Sequence, residues 1–149
     1  MSLQNQVMNQ IKAAMKSKDK VALESLRALK SAFLLANTSG SSVELSEEEE
    51  LKIVQKLVKQ RKDSAAIFDE QGRSDLSEPE KAQAKVLEQF LPAQMSEEEV
   101  AIVVDEVITQ TGANSMKDMG KVMGMVNKKL AGQADGKTIS GIVKNKLSR

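Results

Sequence analysis

The chain has 149 residues, a formal net charge of +1, 40% apolar residues, two prolines, three aromatic residues (all Phe), and neither histidine nor cysteine. Losing both imidazole and thiol excludes disulfides, thiolate nucleophiles, histidine general bases and the usual zinc ligands. The strong helix formers dominate, so the expected fold is all-α, with a core of Leu, Ile, Val, Met and Ala packed between helices.

In chain order, Ser2 is placed to cap a first helix with Leu3, Val7, Ile11 and Ala14 or Met15 inward. A second helix from about Asp19 or Lys20 puts Ala22, Leu26, Leu29 and Phe33 on one stripe, widened by Leu23 and Leu34. The run from Asn37 to Ser42, small and polar, reads as a loop. Ser46 and Glu49 spell a capping box for a long helix ending near Asp69 or Glu70, with Leu51, Val54, Val58, Ala65 and Phe68 inward and Gly72 as its stop. Ser77 is the expected cap of a fourth helix with Pro79 in its first turn, and Leu91-Pro92 should break that helix.

Ser96 and Glu99 repeat the capping box ahead of Val100, Val103, Val104, Val107 and Ile108, with Gly112 closing the helix. Ser115 is expected to cap a helix carrying Met116, Met119, Met123, Val126 and Leu130, and Asp135-Gly136 to open a last helix with Ile139, Ile142, Val143 and Leu147 buried. Pro92 to Ser96 is the best linker candidate. The expected organisation is an amino-terminal domain of about four helices over 1–92 and a small three-helix domain over 93–149.

Charge is unevenly spread along this order: residues 1–43 carry +4, 44–111 carry −9 and 112–149 carry +6. Clustered cations attract polyanions. Lys117, Lys121 and Lys128 follow steps of four and seven, so one helix can present them along an edge beside Lys129, while Lys137 and Lys144 share the step of seven on the last helix. These six lysines are the candidate nucleic-acid-binding residues; the competing reading is a solvated face that keeps a small domain soluble. Gly120 and Gly124, four apart, read as close-packing positions, against the last helix or against a sugar-phosphate backbone. Met116, Met119 and Met123 read as core, and Met125 lies off their stripe. The acids from Glu47 to Glu50 need no more than a capping and dipole role, and neither a catalytic residue nor a metal site is assigned. Arg61, Asp63 and Ser64, with Arg73 and Asp75, are read as a polar network between helices. Few aromatics disfavour stacking of unpaired bases.

Several fragments in order resemble the GatB/YqeY family: Arg27-Ala-Leu-Lys-Ser-Ala32, Gln60-Arg61-Lys-Asp-Ser64, Arg73-Ser-Asp-Leu76 before Glu80, Phe90-Leu-Pro92, Lys117-Asp-Met-Gly-Lys-Val-Met-Gly124, Ala134-Asp-Gly-Lys137 and Ile142-Val-Lys144. The resemblance runs nearly end to end. It implies a helical fold similar to the tail of the tRNA-dependent amidotransferase B subunit, whose small terminal domain touches tRNA away from the reacting end. It links the chain with glutamine-dependent carbon–nitrogen ligases, although the catalytic portion of that subunit has no counterpart here. At Phe68 the family pattern leads us to expect a tyrosine; phenylalanine keeps the packing and lacks the hydroxyl. The expected partner is tRNA or structured RNA, the alternatives being a protein partner in an amidotransferase or ligase complex and an amide-transfer activity. No cofactor is implied. With no apolar run of membrane-spanning length and a polar start, the expected location is the cytoplasm.

Overall fold

The computed structural model describes residues 2–38 and 44–148. Among these residues there is no strand: seven α-helices follow one another, α1 (Leu3–Ser17), α2 (Lys20–Thr38), α3 (Glu47–Glu70), α4 (Ser74–Glu88), α5 (Glu97–Thr111), α6 (Met119–Lys129) and α7 (Gly136–Leu147), with one 3-10 turn at Met116–Asp118 before α6. Contacts divide the chain into two units, 1–91 and 92–149, each with its own core.

In the first unit α1 packs on α2, α2 on α4 and α3 along α4. Val7, Ile11, Leu26, Leu29, Phe33, Val54, Val58, Leu87 and Phe90 meet in its core. The caps explain where most of these helices start. Ser2 Oγ accepts from Asn5 N at 3.2 Å, and Ser46 and Glu49 form a complete capping box. Burying one such aliphatic side chain contributes about 1.5–3 kcal/mol, more than a single cap, so the core fixes the packing and the caps fix the ends. Met15 and Leu34, expected near the apolar stripes, are instead 56% and 54% exposed. Asn37 and Thr38 extend α2, and the remainder of the expected loop lies outside the described residues.

α3 ends in a Schellman closure, with Arg73 N donating to Phe68 O at 2.8 Å and Gly72 N to Asp69 O at 3.0 Å while Gly72 takes φ +71°. Because the chain reverses this early, α4 begins at Ser74 and not at Ser77. Ser77 is fully buried inside the helix, its hydroxyl donating to Ser74 O at 3.5 Å. Pro79 consequently sits in the second turn, where its ring removes the bond that would otherwise run to the Asp75 carbonyl. The position ahead of the helix is held by Arg73, whose guanidinium donates to both oxygens of Asp75 at 3.0 and 2.9 Å.

The expected network is only partly between helices. Arg61 of α3 donates to Gln83 of α4 at 3.2 Å, and Gln83 donates onward to Glu24 of α2 at 3.1 Å. Asp63 pairs with Lys59 one turn away in its own helix.

The second unit buries Val100, Val104 and Val107 of α5, Val122 and Val126 of α6, Leu130, and Ile139, Val143 and Leu147 of α7. Ser96 and Glu99 complete a second capping box, and Gly112 closes α5 with φ +68°. The segment ahead of α5 is tied to the turn between α6 and α7, Met95 N donating to Gln133 O at 2.9 Å and Gln94 Nε2 to Gly132 O at 2.7 Å. Asp135 caps α7 through Thr138 N at 2.6 Å.

Candidate nucleic-acid interface

α6 is short, and its register follows from what it buries. Val122 and Val126 are fully buried and Leu130 nearly so, which turns the opposite side of the helix outward. Successive residues advance by about 100°, so Lys121, Gly124 and Lys128 fall together opposite that core, with Gly120 beside them. All four are exposed. On α7 the buried Ile139, Val143 and Leu147 place Lys137, Gly141 and Lys144 on the outward side, again all exposed.

Lys117 is exposed too, but it belongs to the 3-10 turn and not to α6, so the single helical edge expected for Lys117, Lys121 and Lys128 is interrupted after Lys117. The reason lies at Ser115, whose side chain makes no cap bond to the turn that follows. Instead Asn114 N donates to the carboxylate of Asp118 at 3.1 Å, and the regular helix starts only at Met119. Lys129 is exposed at the end of α6, to one side of the outward ridge.

Acids from the middle of the chain neutralise little of this. The unit 92–149 contains eight basic and seven acidic residues. Among the described residues, Lys146 pairs with Asp105 of α5 at 3.1 Å. Lys117, Lys121, Lys128, Lys129, Lys137 and Lys144 form no ion pair there. Five of the seven acids lie on α5, with Glu97, Glu98 and Glu99 in its first turn, where they complement the helix dipole. The cations on α6 and α7 are therefore left to solvent or to an external polyanion.

The glycines correct the sequence reading. A Cβ built on Gly120 or Gly124 meets nothing within 4 Å, so neither glycine marks close packing against α7 or any other element of the chain. The methionines need adjusting as well. Met116 is 42% exposed, whereas Met119, Met123 and Met125 all pack against the core, and Val122, absent from the expected stripe, is buried at its centre. A four-residue step from Val122 to Val126 is the signal that would have found it.

Elsewhere, no group of three or more acidic side chains is placed to hold a metal ion among the described residues, and no helix is long and apolar enough to cross a membrane.

Comparison with known proteins places the chain. Over 73 residues, 46% of its length, it is 42% identical to a glutamyl-tRNA(Gln) amidotransferase subunit from Thermococcus gammatolerans. That alignment covers 12% of the relative, so most of the archaeal protein, whatever chemistry it performs, lies outside the shared part. The family model described as Yqey-like protein matches residues 4–147, almost the whole of this all-helical chain, and the protein belongs to that family.

Proposed function

We propose that this YqeY-like protein is a noncatalytic module that docks on the phosphate backbone of structured tRNA through the lysines of its second unit. The observation carrying this reading is that six exposed lysines on the 3-10 turn, α6 and α7 have no acid paired with them among the described residues. Similarity to part of an enzyme named for glutamyl-tRNA(Gln) supports tRNA as the polyanion. Each phosphate contact releases counterions, giving a slope of about −0.9 per contact in a plot of log affinity against log salt. Four contacts correspond to a slope of roughly −3.6, a loss of about 150-fold between about 50 and 200 mM salt.

Titration of labelled tRNA across that salt range tests the reading. Replacing Lys117, Lys121 and Lys128 together with alanine should flatten the slope by about 2.7 if each lysine neutralises one phosphate. Binding no stronger than that of an acidic protein of equal size, or a slope indifferent to the triple substitution, would overturn it. A second reading, a protein contact within an amidotransferase complex, draws on the relative being one subunit of such an enzyme. Co-elution with a purified amidotransferase that survives ribonuclease treatment would favour it.

A further inference from the structure

The four glutamates that open α3 do not share one environment. Glu47 and Glu49 are exposed and Glu48 is half-buried, whereas Glu50 retains only 8% of its surface. Its Oε2 is buried and has no hydrogen-bond partner. Gln4 of α1 hydrogen-bonds the same carboxylate, which leaves that bond to the other oxygen. Burial holds the Glu50 carboxyl above the usual carboxylate range, and the charge of Glu47 adds to the effect. An ionised carboxylate only accepts hydrogen bonds, and a buried acceptor without a donor is costly to keep.

Glu50 lines a cleft of about 420 Å³ at one end of the first unit, between the start of α1, the start of α3 and the end of α4. Leu3, Leu51 and Phe90 give it an apolar wall, and Gln6, Glu47 and Gln89 a polar one. No lysine or arginine among the described residues pairs with either lining glutamate. Small-molecule sites have this make-up, mostly apolar with a few converging polar groups.

We propose that this cleft is a binding site for a small primary alkylammonium ion, its nitrogen donating to Glu50 Oε2 and its short alkyl chain lying on Leu3, Leu51 and Phe90. An ammonium supplies what the site lacks, a positive charge with several donors, and charge-assisted bonds are about twice as strong as neutral ones. Glu47 at the mouth reinforces the preference for a cation, and the aliphatic wall favours an alkylated nitrogen over a hydrated metal ion. The site lies in the other unit from the lysines and does not depend on the tRNA reading.

The test is an NMR titration of the full chain, its amino terminus acetylated so that its own ammonium does not compete, with n-butylammonium chloride at constant ionic strength near neutral pH. Saturable amide shifts are expected around Ser2–Gln6, Glu47–Leu51 and Gln89–Phe90, and not at Glu97–Glu99, an equally acidic helix start. Glu50→Gln keeps the shape, removes the charge and should weaken binding about 10-fold or more, the equivalent of losing a charge-assisted bond. Glu47→Gln, an exposed change that leaves the core intact, should weaken it about 2- to 5-fold, as befits a charge at the rim. Shifts that fail to saturate, an equal response to 1-butanol or to magnesium chloride, or undiminished binding by Glu50→Gln would each overturn the proposal.

Discussion

Replacing Gly124 with alanine should stabilise the second unit. Gly124 is the sixth of eleven residues in α6, lies on its exposed side, and an added Cβ there meets nothing within 4 Å. The methyl group therefore loses no contact and gains none, and what changes is the backbone freedom that glycine gives up on becoming helical. In a helix interior that difference is about 0.8–1.0 kcal/mol in favour of alanine. For a unit of roughly 60 residues this corresponds to a rise in melting temperature of about 4–8 °C. Gly112 is the matched control. It also has open space around it, but its φ is +68°, where an L side chain costs about 1–2 kcal/mol, so Gly112→Ala should destabilise. Thermal and urea unfolding followed by far-ultraviolet circular dichroism measures both variants. If Gly124→Ala leaves stability unchanged or lowers it, the glycine is held by a contact within the chain and the reasoning fails. If stability rises while tRNA affinity falls, the open backbone between Lys121 and Lys128 is where an external strand approaches.

Ser96→Ala and Ser46→Ala should each cost about 1 kcal/mol, because each removes the acceptor for a first-turn amide and leaves its partner glutamate without half of the capping box. Urea unfolding of each variant checks this, and a change below about 0.3 kcal/mol would mean that water replaces the hydroxyl without loss. Glu49 and Glu50, neighbours in the chain, should make opposite contributions to stability as a function of pH. Glu49 is held below its ordinary value of 4.5 by hydrogen bonds from Ser46, so its contribution is present above that value and disappears as pH falls through the lower, folded one. Glu50 is raised by burial, so its contribution is present below 4.5 and is lost as pH rises through the higher, folded value. The stability advantage of Glu50→Gln over the native chain should consequently appear only as pH climbs past 4.5, in urea unfolding across about pH 4 to 8; an advantage independent of pH would show that Glu50 does not titrate in this way.

Much of the helical framework could be read from residue types because the signals were local. Ser46 and Ser96 each precede a glutamate at the third helical position, and both close capping boxes. Ser77 and Ser115 are the same residue without that partner, and neither caps: an earlier chain reversal at Gly72 placed Ser77 inside α4, and Asp118 drew the backbone at Asn114 into a turn. What stayed hidden depended on neighbours distant in sequence. Glu50 looks like one more solvated acid of the run, although its four-residue spacing from Val54 and Val58 sets it on their buried face. Whether the lysines would be neutralised also depended on where α5 fell, and of the lysines in the second unit only Lys146 found a partner on it.

The order of packing bears on how quickly the chain can reach this structure. Helices α1 and α2, α3 and α4, and the three of the second unit are sequence neighbours that are also packing partners. Short loops close such pairs at little entropic cost, and helical proteins of this low contact order fold in microseconds to milliseconds. The α2–α4 contact is the long-range exception within the first unit, and Leu26, Leu29 and Leu87 are the natural place for the rate-limiting nucleus to form.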